Sequence, residues 1–540
     1  MNIFDRAISA VAPVRALKRM AARQTMEIIN SGYDEGGASH TKKSMRGWRA
    51  NSASPREDID HNLDTLRQRA RDLAMNAPLG TSAIRTTRTN VVGSGLKLKA
   101  RIDAKYLGLT DDQADEWERN TEREFSLWAE SVHCDALKIN DFYSLQQLGF
   151  MASLASGDAW VIFKQSNPTT WMPYGLRIHL IESDRVSTPN VTLAGSVEGL
   201  NPVNQNQIIS GVEVDRTSGA IVAYHVASRH PQSTAMLPTQ GMIKWQRIEA
   251  FGPKTGRPNV LHLFEGERPE QMRGAPFLAP VIESIKQVSR YSEAELMAAV
   301  ISAMFTVFIK TEGASSDVPL GEMVPDSEKV SSKDENTYEL GHGAINVLGQ
   351  GEDVTFANPS RPNSNFEMFV SALTRQIGAA LEIPQELLQK SFQSSYSASR
   401  AALLEAWKMF RMRRDWLTKD FCKPIYTEWL AEAVARGRIK APGFFSDPVI
   451  QRAWCMSEWS GPAPGQVDPL KEVKAAKERI GLALSTRERE AIELTGSDFD
   501  QNVQQLGREE KLMKSAGLTI EIPKDTRPQE PVGKGGEGEE

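Results

Sequence analysis

Cysteine is scarce in this sequence. Only Cys134, Cys422 and Cys455 occur in 540 residues. They are far apart and odd in number, without zinc spacing or a disulfide framework. They read as small buried apolar residues of a reducing compartment. Long hydrophobic runs are missing too. The longest, Leu296 to Ile309, is shorter than the roughly 20 residues a bilayer requires, with Glu293 and Glu295 before it and Lys310 after it. The N-terminal stretch is amphipathic and basic, but Asp5 and Arg6 interrupt any signal-peptide core and Pro13 breaks the apolar face. It reads as an arm or assembly contact.

Catalytic motifs are equally thin. No G-x-x-x-x-G-K-[ST] phosphate loop exists, because the only Gly-Lys pair, Gly533-Lys534, sits in the tail. Gly93-Ser-Gly95 lacks the third glycine of a dinucleotide fingerprint and reads as a turn. There is no G-x-S-x-G elbow. Ser39 to Lys42 fits S-x-x-K without its companion motifs. His225 and His230, five apart beside Pro231, make a weak metal pair. Asp111 and Asp112 stand at a helix start, where the macrodipole accounts for them. An excess of positive charge is also lacking: 64 basic against 69 acidic residues give a net charge of −5. That argues against holding nucleic acid by a general basic surface. The expectation is no catalytic residue, no metal and no cofactor.

What is present is a globular composition, 40% hydrophobic and 25% charged, long enough for about three domains. Gly32, Gly36, Gly37 and the NSASP cluster (51–55) mark a loose start. Helical spacing begins at Asp58, with Leu63, Leu66, Ala70 and Leu73 recurring, and stops at Asn76-Ala-Pro78. Thr110 and Gln113 form a capping-box pattern opening a helix that carries Trp117, Phe125 and Trp128. From Trp160 to Phe264 the period is two: WVIFK, LRIHLI, QIISGVEV, AIVAYHV, IKWQRIEAF and VLHLF are strand candidates, with Asp215 to Gly219 a hairpin turn.

A long helix is predicted from Gln271-Met-Arg-Gly-Ala-Pro276 to about Thr306, then a Gly-, Ser- and charge-rich stretch and a hairpin with Gly349 to Glu352 at its turn. A second long helix, 363–382, leads through a Gln/Ser-rich loop into another helix, on which Leu403, Trp407, Phe410, Leu417 and Phe421 share a face and Pro424 predicts a kink. The loop has one acid, Glu386, and one base, Lys390. Its polarity suits contact with something charged without a grip on it. It has only Leu387, Leu388 and Phe392 to bury. Arg411, Arg413 and Arg414 are spread around their helix, which fits nucleic-acid contact no better than a solvated or subunit-bridging role.

These segments carry a resemblance. RQIGAALEIP (375–384), SSYSASRA (394–401), ARDLAMNAPLGTSAIRTTRTNVVGSGLKLKA (70–100) and VDPLKE (467–472) are similar to segments of the lambda-type family of phage portal proteins, in the same order along the chain. The resemblance covers roughly residues 60 to 510. It implies an α+β fold: a mixed portal fold with a β-rich wing, two long stem helices, a small α/β clip insert and a helical C-terminal crown. The implied parts are a flexible arm (1–57), wing (58–275), stem helix (276–309), clip (310–358), second stem helix (359–382), tunnel loop (383–397), long wing helix (398–440), crown (441–515) and disordered tail (516–540).

It further implies a ring, expected to be a dodecamer, at one capsid vertex. Double-stranded DNA would enter and leave through it, driven by a separate terminase large subunit docking on the clip. Head–tail connector or adaptor proteins and capsid and scaffold proteins are the other expected partners, with no membrane. The expected location is the portal vertex of the virion, and the host cytoplasm during assembly. On this view Gln385, Gln389, Lys390, Ser391, Gln393, Ser394 and Ser395 face DNA, while Lys286 and Arg290 face the bore or a neighbouring subunit. The nearly all-round apolar run 296–309, by itself readable as an ordinary buried helix, then packs on copies of itself. The alternative from another class is a hydrolase or nuclease with a spatially assembled carboxylate site. A short head–tail adaptor is a further alternative, disfavoured by the two-helix-plus-insert arrangement.

Overall fold

The computed structural model describes residues 52–189, 198–233, 243–304, 307–309, 345–347, 365–392, 395–465 and 468–516, with three isolated positions before residue 52. Nearly all of the arm with Ser39 to Lys42, the clip apart from 345–347, the turn Gly349 to Glu352, Gln393 and Ser394, and the tail beyond 516 lie outside the described residues. Two compact units divide the chain, Met1–Asp58 and Ile59–Glu540. The first contributes one described helical turn, Pro55–Asp58. The second holds every described strand and all of the longer described helices.

Helices α1 (Leu63–Asn76) and α2 (Pro78–Val91) form where the apolar spacing places them. Ala77 is the break, and Pro78 opens α2 at its first turn, where the missing N–H costs nothing. Strand β1 (Lys97–Ala100) comes next. Thr110 and Gln113 cap each other's backbone at the start of α3 (Asp111–Ala129), as the capping-box pattern predicts. Phe125 and Trp128 point inward from α3 to meet α4 (Phe142–Ser156).

The alternating segments become two antiparallel sheets. One has the order β3 (Leu176–Glu182), β2 (Asp158–Gln165), β9 (Val260–Phe264); the other runs β4 (Glu198–Leu200), β5 (Gln207–Ile209), β6 (Val212–Val214), β7 (Ile221–Ala227), β8 (Trp245–Glu249). The segment QIISGVEV is a hairpin of two strands rather than one. Ser210 and Gly211 both take positive φ, 47° and 85°, which reverses the chain in two residues. The predicted turn is present: the Asp215 carboxylate accepts from the Thr217 and Ser218 amides, and Gly219 has φ 73°. A small core of Trp160, Ile181, Val212, Tyr224 and Val260 joins the two sheets.

Helix α5 (Ile282–Met304) is the first long helix. Strand β10 (Val307–Ile309) then pairs in parallel with β11 (Ile345–Val347). Helix α6 (Phe366–Ala380) packs beside α5, with Tyr291 stacked on Phe366 at 5.5 Å. After a short helix α7 (Gln385–Gln389) comes α8 (Tyr396–Leu417). Its helical run continues through a π-helical turn, Thr418–Cys422, into α9 (Lys423–Ala435). The irregularity expected at Pro424 is absorbed there: the Lys423 amide reaches back five residues to Thr418 carbonyl oxygen, so the wider turn makes room for the proline ring.

The main core is aromatic and drawn from distant segments. Phe125 lies 5.0 Å from Trp429, 5.6 Å from Phe142 and 5.9 Å from Trp459, ring centre to ring centre. Trp407, Phe410, Leu417 and Phe421 face it, as their spacing on the helix predicts. Helix α10 (Pro448–Trp454) and strand β12 (Ser457–Ser460) belong to this body, for β12 pairs with β1 and Trp454 and Trp459 are buried. Three helices end the described chain: α11 (Pro469–Gly481), α12 (Arg487–Thr495) and α13 (Phe499–Ser515).

Candidate functional site

The polar segment between α6 and α8 is built on a close backbone crossing. Helix α6 ends as the Ile383 amide donates to Gly378 carbonyl oxygen at 2.9 Å. A Cβ on Gly378 would lie 2.4 Å from Ile383 carbonyl oxygen, so only glycine fits that crossing. Glu382 takes φ 57° to turn the chain, and Pro384 sets the entry to α7. Ile383 and Leu388 are buried, and Ser82 on α2 donates its hydroxyl to Leu388 carbonyl oxygen at 2.6 Å. Lys390 ends α7 with φ 54°.

This first half is therefore a packed helical turn, while its polar side chains divide into two sets. Gln385 is committed to structure: its amide donates to Ser371 Oγ at 2.7 Å and to Gln389 Oε1 at 3.0 Å. Ser395 caps α8, accepting from the Ala398 amide. Gln389 and Lys390 are exposed, and Ser391 is half-buried with its amide bonded to Glu386 carbonyl oxygen. Gln393 and Ser394 lie outside the described residues. Phe392, expected to help bury the loop, is 62% exposed. Lys286 and Arg290 are both exposed on α5.

The arginines of α8 separate. Arg414 is drawn inward, donating to the Asn90, Val91 and Pro462 carbonyl oxygens at 2.8–3.0 Å, where it covers the C-terminal carbonyls of α2. Arg413 is buried over the Phe277 ring at 4.5 Å, with Glu265 at 3.7 Å and Glu382 at 3.9 Å. It ties the turn after α6 to the end of β9. Arg411 alone stays half-exposed.

A second centre was not anticipated from the sequence. Asp158, at the start of β2, is fully buried. Arg273 Nε donates to its Oδ2 at 2.6 Å, and Arg67 Nη2 donates to its Oδ1 at 3.1 Å. His262 Nε2 lies 3.3 Å away. Arg273 also donates to Val186 and Ser183 carbonyl oxygens, and Arg67 to Ser156. The burial that would favour a neutral carboxyl is outweighed by two guanidinium groups, and Asp158 is held well below the ordinary carboxylate range. Burial and the neighbouring Arg273 push Arg67 down to about 10. Burial pushes His262 down to about 4. This knot clamps α1, β2, β9 and the chain leading to α5. The signals in the sequence were a lone acid opening an apolar strand, in GDAWVIF, and a lone arginine in QMRGAP.

Glu213 is a second sealed acid. Arg247 donates to it at 2.8 Å, Asn201 and Asn204 at 3.0 and 2.7 Å, and His225 Nε2 lies at 2.9 Å. His225 and His230 thus serve different clusters. Among the described residues, Glu182, Asp184 and His230 bring potential metal-ligand atoms within 4.8 Å of one another. The place of a cation is taken there by Arg71, whose guanidinium meets both Glu182 and Asp184. Neither centre leaves a free carboxylate pair for acid–base chemistry.

The sequence model of the family described as "Phage portal protein, lambda family" matches residues 41–414, from before α1 to near the end of α8. The chain is 26% identical over 509 residues to the portal protein of Escherichia phage N15, covering 90% of this chain and 91% of that one. It is 26% identical over 510 residues to portal protein B of Escherichia phage lambda, with the same coverage. A probable portal protein of Halomonas phage phiHAP-1 is 25% identical over 468 residues, 85% of this chain and 83% of that one. Among solved structures, a chain in the neck of a native gene transfer agent particle, computed with C12 symmetry, matches with TM-score 0.41 and 12% identity, covering 80% of this chain and 92% of that chain.

Proposed function

The chain belongs to the lambda family of phage portal proteins, and on that premise we propose how its residues serve a portal vertex. Twelve copies close into a ring with α5 and α6 as the stem, the segment 310–358 as clip and, of the 441–515 expected as crown, α11–α13, because α10 and β12 pack with the main body. Double-stranded DNA enters and leaves through the bore. A terminase large subunit docks on the clip, and connector, capsid and scaffold proteins bind the assembled ring. Assembly takes place in the host cytoplasm, and the finished ring sits at the virion vertex.

The observation that supports the ring is the uncovered apolar face of the stem. Leu296, Met297 and Val300 on α5 are 66%, 58% and 45% exposed, and on α6 Met368 and Phe369 are 64% and 48% exposed. Apolar surface left open to solvent marks an interaction site, and a head-to-tail interface whose rotation closes generates a ring. Glutamate at Leu296 and Phe369 tests this: the variant stays folded and fails to form rings.

The tunnel segment is the proposed DNA contact. DNA carries one charge per ~1.7 Å, and a densely basic bore would make every step a counterion-release event. Gln389, Lys390, Ser391, Gln393 and Ser394 offer exchangeable hydrogen bonds and one cation per subunit. Gln385 and Ser395 act behind them, as brace and helix cap. Lys286 and Arg290 are placed at the bore or a subunit contact. The reading assigns the chain no catalysis, cofactor or metal. Asp158 and Glu213, two of the buried carboxylates, are both neutralised by arginine, which supports that reading.

A further inference from the structure

Helices α11, α12 and α13 are attached differently from the rest of the unit. Among their described residues, no side chain enters the main core. Ala476 is the one buried apolar side chain among them, and α13 buries none. They are nevertheless held to one another: Arg479 grips Glu490 with two hydrogen bonds, 2.8 and 2.6 Å, stapling α11 to α12.

Their contact with the body is ionic, and its polarity is uniform across four pairs. Lys99 meets Asp498 and Arg101 meets Glu488. Arg411 lies 3.6 Å from Glu493, and Arg400 lies 3.9 Å from Glu472. In each pair the cation comes from the body and the carboxylate from the last three helices. Between them and the body lies a cleft of about 1240 Å³; its body wall carries both signs, Lys97, Lys99 and Arg119 beside Glu118 and Glu122, and Asp498 faces it from the last helices.

The body is also prepared for the pairs to break. Glu122 lies 3.9 Å from Lys99, and Glu118 lies 3.4 Å from Arg101. When the carboxylates of α12 and α13 leave, neither cation is stranded. Arg400 and Arg411 are already 40% and 53% exposed and pass to water.

We propose that α11–α13 form a preassembled lid held over this cleft by an electrostatic latch, docked at low ionic strength and released as one body when the four ion pairs are screened. Apolar docking would tighten or hold in salt. Ion pairs open to water weaken, because the screening length falls to roughly 3 Å at 1 M, and the more enclosed Lys99–Asp498 pair, 13% and 17% exposed, is the last to yield. An element with so little buried apolar surface opens independently of the core.

The test uses the full chain with Lys474→Cys and Glu116→Cys spin labels in a Cys455→Ser background, labelled subunits being diluted with unlabelled ones. Both positions are exposed, one on the lid and one on α3. The expected result is a narrow inter-label distance at low salt that broadens and lengthens near 1 M, where ion pairing is screened. Circular dichroism stays unchanged. Arg101→Glu with Arg411→Glu gives the broad distribution at low salt, and adding Glu488→Arg and Glu493→Arg restores the narrow one. A distribution unmoved by salt, or unmoved by the two reversals, overturns the latch.

Discussion

Arg273 and Asp158 meet at 2.6 Å with both side chains sealed from solvent, 115 residues apart in sequence. The pair decides how the β-rich part meets α5. Arg273 stands in the chain that leads into α5, so its grip on β2 fixes where that helix begins. Gly274 and Gly157 cross beside it so closely that a Cβ on Gly157 would lie 2.1 Å from Gly274 carbonyl oxygen. Packing, charge and backbone shape agree at this point.

Asp158→Asn removes the charge that both arginines share. Breaking a buried pair by removing one partner costs about 3–5 kcal/mol. Chemical denaturation of the variant is expected to show a loss of that size. A loss under about 1 kcal/mol, the range of exposed pairs, would show that water reaches the knot.

His262 makes stability depend on pH. It stacks on Trp160 with ring centres 3.6 Å apart. Burial pushes its pKa down to about 4 from 6.5, although Asp158 is beside it. The unfolded chain takes up this proton below 6.5, and the folded chain does so only near 4. Its contribution is therefore fully present above 6.5 and is lost progressively as pH falls to about 4, by about 3 kcal/mol. His262→Phe keeps the stacking and removes the proton. Its denaturation midpoint should fall less steeply between pH 6.5 and 4 than that of the parent; an equal slope would assign the acid sensitivity elsewhere.

Gly378→Ala places a methyl where Ile383 carbonyl oxygen approaches. The backbone must move, and strain of this kind costs on the order of 1–3 kcal/mol. Faster amide exchange is expected in α7, with α8 unaffected beyond its first turn. Unchanged exchange in α7 would mean that the crossing does not hold the segment.

Much of this was legible in the chain. The capping box of α3, the hairpin at Asp215, the buried stripe of α8 and the two long helices follow from spacing and turn chemistry that act locally. The π-turn before Pro424, the split of QIISGVEV and the inward paths of Arg413 and Arg414 were not. Each depends on what lies across the fold. Arg414 reads as a surface cation until α2 presents its carbonyls. The segment between α6 and α8 was legible as a polar loop between two anchored helices, but the burial of Leu388 under Ser82 joins residues 306 apart.

Changing Gln389 and Gln393 to Lys raises the segment from about one to about three positive charges per subunit, beside Lys390. If these residues face DNA, each added phosphate contact steepens the salt dependence by about 0.9 in log–log slope. Rings should form, packaging should slow at low salt, and added salt should partly restore it. A normal packaging rate at low salt would remove this segment from the bore.

The central claim is that copies of this chain close into a ring around a DNA-sized hole. Imaging the purified full-length protein at micromolar concentration, with the mass of the same sample, tests it most directly. The account predicts a closed assembly of roughly a dozen copies with an axial channel, as closure of a repeated interface demands. A stable monomer, with its α5 and α6 face still exposed and no larger species, would contradict it.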